Sequence, residues 1–421
     1  MTPKTGRVFY GWFALVGAMF VIFVVGGAFV NSFGVFLPVI CTEFGWSRAA
    51  VAAGLSIGIV AFGLPSPLWG VLVARFGPRI NIILGNLLAA LGLAGMSLVQ
   101  EVWHVYLCYF ITGLGAGLGG YIASTTVVSN WFLKKRSLAL GMFMSCGGLG
   151  GFVFPPLATM LISGIGWQMS WLVLAGIVII LAVLIGGLIL VRNRPEGMGL
   201  VPDGISAEPF VESGTTENQS GTGESQVGWQ IKQVLRIPTT WLIAAFTAAG
   251  AFTMGTIVTH QVAYLQDLGF SPMTAAMTMS LVSISHIIGS LGFGTLALRF
   301  NIRYLTSVSF GFQLMALAIL LTTKELAIIY IYAVLLGIGN GALLTALPTF
   351  VGAYYRRDRY ALVLGVLLPF LVVAQAAAAT VAGAIYDATS AYTAAFTSVA
   401  ALSLVGLICA FLARKPKLPQ W

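Results

Sequence analysis

Long apolar stretches dominate the pattern of this chain, and short polar segments separate them. Most stretches hold about 20 or more residues almost free of charged side chains, which is the length a helix needs to cross the hydrocarbon core of a bilayer. The pattern therefore predicts an all-α membrane protein with twelve transmembrane helices. We place these helices at residues 10–40, 50–74, 80–98, 106–128, 138–162, 170–191, 239–264, 274–298, 304–321, 327–354, 361–385 and 393–412.

One short sequence occurs twice at a fixed distance. "GVLVARFGPR" begins at Gly70 and "GTLALRFNIR" begins at Gly294, which is 224 positions later. The same offset aligns "EFGWS" with "DLGFS", "GLGAG" with "GIGNG", and Gly141 with Gly365. A constant offset over more than a hundred residues indicates a duplicated unit. We therefore predict two six-helix pseudo-repeats: an N-terminal bundle at 1–192, a linker at 193–237 and a C-terminal bundle at 238–421.

The composition agrees with a membrane protein and excludes an ordinary soluble domain. Hydrophobic residues make up 58% of the chain, charged residues 8%, and the mean hydropathy is +0.97. A soluble domain has about a quarter of its residues charged. The four cysteines form no CxxC pair and are interpreted as free thiols.

The net charge of +9 is unevenly distributed between the two sides of the predicted bundle. Nineteen of the 21 Lys and Arg residues lie on the side of the N-terminus, and only Arg48 and Lys324 lie on the other. This asymmetry predicts that both termini and the linker are cytoplasmic in an inner (plasma) membrane. The linker is rich in Gly, Ser, Thr and Glu at 208–226, which is typical of a flexible segment. Because the charge orients the chain, we expect no nucleic-acid partner.

The motifs resemble those of the major facilitator superfamily. Besides the repeated loop motif, "YGW", "SFGVFLPVICTEFGWSRA", "NWFLKKRSLALG" and "RPEGMGLVPDG" look like its bacterial monocarboxylate-porter and oxalate–formate-antiporter branch. The resemblance implies a transporter that works by alternating access, with a substrate site between the two halves. Repeat-built carriers bind near the bilayer midplane at the repeat interface, which agrees with this placement. We expect a monomer in the lipid bilayer.

Two departures from the family pattern bear on function. The family usually has an acid before the first arginine of the loop motif, and here Ala74 and Leu298 stand in its place. The arginines of the motif remain: Arg75, Arg79, Arg299 and Arg303. They either take part in gating the carrier or only set the orientation of the loops in the membrane. The branch usually carries an arginine in the eighth span as counter-charge for a carboxylate, where this chain has Ser290.

The candidate site residues are polar but uncharged, because no predicted span holds a charged side chain near its centre. His286 is a candidate for substrate binding and proton coupling, and His260 is the second coupling candidate; histidine titrates near neutrality. The remaining substrate-binding candidates are Asn31, Tyr121, Asn340 and Gln375. Each of these side chains has an alternative role in helix packing, above all Asn340 within "GIGNG".

The function predicted is secondary active transport. Nothing in the sequence indicates an enzyme, a cofactor or a metal site, since it has no nucleotide-binding motif, nucleophile elbow or metal-ligand spacing. Energy must then come from an ion or substrate gradient. We expect a small, monocarboxylate-like organic anion carried by proton symport or exchange. The alternative, favoured by the lack of a buried Arg or Lys, is import or export of a neutral or amphipathic small molecule.

Overall fold

The computed structural model describes residues 9–46, 48–203, 234–270, 272–323, 325–355, 357–389 and 392–416. The described chain is helical almost throughout, with one isolated bridge between Phe132 and Asp203. We number the spans one to six as Gly11–Val24 with Val25–Asn31 and Phe33–Phe44; Arg48–Gly63 with Ser66–Phe76; Pro78–Gly95; Val102–Gly119 with Tyr121–Trp131; Arg136–Ile165; and Trp167–Val178 with Ile179–Leu190. Spans seven to twelve are Pro238–Asp267, Pro272–Leu296, Ile302–Thr322, Leu326–Tyr354, Tyr360–Thr389 and Tyr392–Leu412.

The helix count agrees with the sequence prediction once a bend is taken into account. Within the described ranges, eleven helices are long and apolar enough to cross a bilayer. A twelfth span results if Ala53–Gly63 and Ser66–Phe76 are counted together, although they meet at 47°. Pro65 stands between them and has no backbone N–H to continue the helical hydrogen bonding, which accounts for the bend.

Besides span two, three described spans depart from the continuous α-helices that the hydropathy pattern suggests. Span one passes through a π-helical turn at Val25–Asn31, and span six ends in a π-helical stretch at Ile179–Leu190. Span four is interrupted at Gly120, whose φ of −88° and ψ of −106° fall outside the helical region. Such breaks change the direction of side chains along a span, so helical periodicity alone does not place the residues beyond them.

The two halves meet mainly along two pairs of spans, span two against span eleven and span five against span eight. Both contacts are closest at the face that carries Arg75, Arg79, Arg299 and Arg303, which we call the basic face. Four residues there, the seam glycines, bring backbone against backbone; they are Gly70, Gly141, Gly294 and Gly365. A side chain at any of them would collide with the facing helix, so glycine is required at each.

The seam contacts repeat under the same offset as the sequence. A Cβ atom on Gly70 would lie 2.5 Å from the carbonyl oxygen of Ala361, and one on Gly294 would lie 2.6 Å from that of Ser137. Gly294 follows Gly70 by 224 positions, and Ala361 follows Ser137 by the same number. Each contact therefore has a counterpart with the two halves exchanged, which is the arrangement that a pseudo-twofold axis between the halves produces.

The segment after span six lies across the basic face. Pro195–Met198 forms a short 3₁₀ turn, and the carboxylate of Asp203 accepts hydrogen bonds from the backbone N–H groups of Leu133, Lys134 and Lys135. This segment, "RPEGMGLVPD" in the sequence, thereby fixes the loop between spans four and five. The predicted flexible part of the linker, 208–226, lies outside the described residues.

Candidate functional site

A cavity of about 170 Å³ lies among four spans of the C-terminal half. Three of the residues predicted to bind substrate line it together: His286 from span eight, Asn340 from span ten and Gln375 from span eleven. The rest of the lining is mostly apolar and comes from spans seven, ten and eleven: Phe246, Thr247, Gly250, Ala251, Met254, Leu343, Leu344 and Leu371. The lining carries no carboxylate, lysine or arginine, so its polarity comes from an imidazole, two amides and a hydroxyl.

One lining residue of the cavity, His286, lies at the boundary between the halves. A Cβ atom on Gly148 of span five would lie 3.8 Å from Nδ1 of His286. The imidazole of His286 therefore lies close to span five of the N-terminal half. A movement of span five against span eight would change the surroundings of this side chain directly.

The side-chain amide of Asn340 contacts two other spans. Its Oδ1 accepts a hydrogen bond from Nε2 of Gln313 in span nine, and its Nδ2 lies 3.2 Å from the sulfur of Met254 in span seven. Both ends of the amide are thus occupied by neighbouring helices. These contacts agree with the packing role that the sequence left open for Asn340, which joins spans seven, nine and ten. Asn340 also lines the cavity, so its predicted part in substrate binding stays a prediction.

Three other polar groups in the cavity have no protein partner in the described part of the chain. Neither the imidazole of His286 nor the side-chain amide of Gln375 makes a hydrogen bond there, and the buried hydroxyl of Thr247 also lacks one. Buried polar groups are normally hydrogen-bonded, and Thr247 is buried, whereas His286 is half-buried and Gln375 is exposed. These three side chains are therefore the groups in the cavity that are free to bind a solute.

The other predicted binding and coupling residues lie apart from this cavity. Asn31 is exposed at the end of the π-helical turn, donates to the carbonyl oxygen of Gly26 at 2.6 Å and lies close to Gly151 of span five. Tyr121 is buried at the break in span four. His260 lies in span seven with Nδ1 3.4 Å from the hydroxyl of Tyr392 in span twelve.

The arginines of the repeated motif divide into two pairs. Arg79 donates to the carbonyl oxygens of Gly187 and Leu188 at 3.1 and 2.8 Å, and Arg303 donates to that of Phe411 at 3.0 Å. Phe411 follows Gly187 by 224 positions, so both arginines cap the last span of their own half in the same way. Arg75 and Arg299 are exposed. In this conformation, none of the four makes a hydrogen bond to the opposite half within the described ranges.

Other side chains join the halves at the basic face. Arg136 donates to the carbonyl oxygen of Gly352, and Ser66 donates to that of Gly365 at 3.1 Å. Arg357 of the C-terminal half donates to the backbone and side-chain oxygens of Asn130 and pairs with the carboxylate of Glu196 at 2.7 Å.

The Glu196–Arg357 pair affects the titration of the carboxyl group. Partial burial on its own raises the pKa of Glu196. The hydrogen bond from Arg357, a backbone hydrogen bond and the charges of Arg357 and Arg194 outweigh that effect, so the pKa lies below its ordinary value. Glu196 is therefore ionised at neutral pH and holds the two halves together at this point.

Sequence reasoning did not single out several residues that the structure makes important. Thr247 and Gln313 lie in spans among many similar residues, and nothing local distinguishes them. Glu196 follows two arginines but is the first of six acids between residues 196 and 224, so nothing local distinguishes it either. The part of Arg136 and Arg357 in joining the halves depends on which loops face each other, and this is visible only in the fold.

The fold and cavity together define a class of protein: a polytopic membrane carrier built from two repeats, with a solute cavity buried near their interface. Its family follows from comparison with known proteins. The family model described as Major Facilitator Superfamily matches residues 18–326 and 266–420, and the chain belongs to that family. It is accordingly a secondary transporter that works by alternating access, and not an enzyme, and the predicted fold class is confirmed.

Similar proteins agree with this assignment. The chain is 28% identical over 409 residues to monocarboxylate transporter 13 of Rattus norvegicus, covering 94% of this chain and 87% of that protein. It is 26% identical to monocarboxylate transporter 12 of Xenopus laevis, covering 94% and 86%. A crystal structure of the E. coli fucose:proton symporter superposes with a TM-score of 0.73 over 97% of this chain and all of the other, at 14% identity, and shows the shared fold.

Proposed function

We propose that this protein carries small, monocarboxylate-like organic anions across the inner (plasma) membrane by proton symport or exchange. The observation that carries the proposal is the small cavity with three uncommitted polar groups, His286, Gln375 and Thr247. The relatives named as monocarboxylate transporters support the substrate class. The cavity is built by one chain, and we propose that the monomer is the working unit.

We also propose that the basic face is cytoplasmic, because it carries most of the Lys and Arg residues. Most of the described hydrogen bonds between the halves lie at or near this face. Ser145 of span five also donates to the carbonyl oxygen of Ile287, deeper in the bundle. On this orientation the structure is a carrier closed toward the cytoplasm, with its cavity reached from outside. Thiol labelling of exposed positions on each face in right-side-out vesicles tests the orientation, and external labelling of Arg194→Cys would contradict it.

The absence of a guanidinium or ammonium group in the lining requires another way to bind an anion. His286 provides one, because a protonated imidazole is a cation that donates hydrogen bonds to a carboxylate. Gln375 and Thr247 add donors without adding charge. In this scheme proton and anion enter together as a neutral pair, so binding of each favours binding of the other.

A second candidate function is transport of a neutral or amphipathic solute, which the mainly apolar lining favours. In that case His286 acts as a hydrogen-bonding group without changing its charge. The two proposals differ in one measurable respect, since only the first couples transport to protons through a residue in the cavity.

The test uses purified protein in proteoliposomes and a panel of radiolabelled monocarboxylates. We expect accumulation under an imposed pH gradient for the wild type. His286→Gln is expected to lose gradient-driven accumulation and to retain counterflow exchange. His260→Gln removes a histidine outside the cavity and serves as the comparison, with accumulation retained.

Two results would lead to other conclusions. Gradient-driven accumulation that survives in both single variants and the double variant excludes coupling by these histidines. Saturable transport of neutral solutes with no response to the gradient in the wild type would favour the second candidate function.

A further inference from the structure

A second and larger concavity opens on the basic face, away from the candidate substrate site. Its volume is about 530 Å³, which lies within the range of roughly 300–1,000 Å³ typical of small-molecule sites. Five arginines line it and only two acids do. The arginines are Arg75, Arg79, Arg192, Arg194 and Arg357, and the acids are Glu196 and Asp358. We call this concavity the arginine pocket.

The two acids of the arginine pocket are already paired. Glu196 binds Arg357 at 2.7 Å, and Asp358 binds Arg359 at 3.0 Å. Arg79 is held by carbonyl oxygens at the end of span six, and so is Arg192. These four contacts leave the pocket with a positive charge that its own carboxylates do not neutralise.

Arg75 and Arg194 are the two arginines of the pocket without a direct hydrogen-bond or ion-pair partner in the described part of the chain, although the charge of Arg194 also acts on Glu196. Both are exposed, and in the described part of the chain neither guanidinium makes a hydrogen bond or an ion pair; Arg75 only lies over the ring of Phe76, at 5.4 Å. Ala74, which precedes Arg75 and also lines the pocket, brings no charge. Two guanidinium groups beside a concavity present a set of donors that matches the oxygens of a phosphate group.

We propose that the arginine pocket binds a phosphate-bearing anion and that this ligand stabilises the conformation closed at the basic face. The phosphate group has two possible sources, a free solute or the headgroup of an anionic phospholipid, since basic pockets between membrane helices bind such headgroups.

The effect on conformation follows from the origin of the lining. Arg75 belongs to the N-terminal half, and Arg194 lies at the start of the linker, which Asn193 and Asp203 hold against that half. Arg357 and Ala361 belong to the C-terminal half. A rocking movement that opens the basic face separates the two sets of residues and divides the pocket. A ligand that contacts both sets binds the closed state better and shifts the population toward it. The cytoplasmic location of the pocket rests on the orientation proposed above, but binding itself does not.

The test compares two variants with the same loss of charge. Arg75→Gln/Arg194→Gln removes from the pocket the two arginines that have no direct partner in the described part of the chain. Arg299→Gln/Arg414→Gln is the matched control, because both residues are exposed arginines outside the pocket and Arg299 is the repeat equivalent of Arg75. Ala74→Asp is a second test that keeps all five arginines of the pocket. It places a carboxylate beside Arg75, and this carboxylate competes with the ligand for the guanidinium.

Pyrophosphate is titrated calorimetrically into the lipid-depleted, detergent-solubilised full chain. We expect saturable binding that weakens about tenfold or more in the double pocket variant, because hydrogen bonds between charged groups are the strong ones. Ala74→Asp weakens binding in the same direction, and the control variant binds like the wild type. In a second arm, native mass spectrometry measures phosphatidylglycerol retained from mixed vesicles against phosphatidylcholine.

The two arms identify the source of the phosphate. Saturable pyrophosphate binding that depends on the pocket identifies a free solute, and selective retention of phosphatidylglycerol alone identifies a lipid headgroup. The proposal is overturned if neither probe binds, or if the control variant loses as much binding as the pocket variant.

Discussion

Adding one methyl group at a seam glycine tests whether the backbone contact between spans five and eight sets the conformation of the carrier. In Gly294→Ala the new Cβ atom would lie 2.6 Å from the carbonyl oxygen of Ser137, where ordinary contacts begin at 3.4 Å. The helices must therefore separate by about 0.8 Å, and overpacking of this kind costs about 1–3 kcal/mol. The seam is closed only in the conformation seen here, so the cost falls on that state alone.

The expected result is a shift of the equilibrium away from closure at the basic face. A cost of about 1–3 kcal/mol changes the ratio of the two states by about 5- to 150-fold. Spin labels at Phe76 and Phe300, exposed and repeat-equivalent positions at the ends of spans two and eight, report the distance between the halves. Double electron–electron resonance should show a longer distance becoming dominant, in a background lacking Cys41, Cys108, Cys146 and Cys409.

Gly292→Ala is the control, because it makes the same chemical change in the same helix and its Cβ atom would meet nothing within 4 Å. Both variants gain the same helix propensity, which cancels in the comparison. The reasoning is refuted if Gly294→Ala keeps the wild-type distance distribution, or if Gly292→Ala changes it equally.

Three further predictions concern single contacts. Glu196→Gln is expected to weaken closure by about 0.2–1 kcal/mol, as for other exposed ion pairs. Because the pKa of Glu196 is lowered in the closed state, the wild type has this contribution in full above the ordinary pKa of about 4.3 and loses it as the pH falls through the lowered pKa. A pH series of the same spin-label distance measures this loss. Thr247→Val keeps the shape of the side chain and removes a hydroxyl that has no hydrogen-bond partner, so the KM for substrate should rise with no change in melting temperature. An unchanged KM excludes Thr247 from substrate binding. Gln313→Leu leaves Oδ1 of Asn340 without its hydrogen-bond donor and should cost about 1–3 kcal/mol of stability. The double variant Gln313→Leu/Asn340→Leu should recover part of the lost melting temperature. If it recovers none, the amide pair does not account for the loss.

The parts of the fold that depend on chain-wide patterns could be predicted from the sequence. Hydropathy indicated the spans, and the offset of 224 residues indicated the two halves. The repeat also extends to the contacts between the halves, since the equivalence of Gly70 with Gly294 and of Gly141 with Gly365 reappears as two equivalent seams.

Other features depend on the rotation of helices and on the crossing of distant spans, which local pattern does not encode. Asn31 and Gln375 are both amides inside spans, yet only Gln375 reaches the cavity. The π-helical turn that ends at Asn31 alters the direction of the Asn31 side chain, and the residues before the turn do not predict it. Asn340 illustrates the same limit, because its partner Gln313 is 27 residues away in another span.

The seam between the halves also has a kinetic consequence. It consists largely of backbone against backbone, with contacts such as Gly365 against the carbonyl oxygen of Ser66, and it lacks large interlocking side chains at these positions. Such close approaches are individually weak, and glycine has no side chain that must find a new rotamer when the helices part. The activation barrier for opening is therefore low at the seams themselves. The polar bonds made by Arg136 and Arg357 form a separate set of contacts that opposes opening, and the Arg357–Glu196 pair among them depends on pH. The turnover rate can therefore change through these loops without any alteration of the cavity that selects the solute.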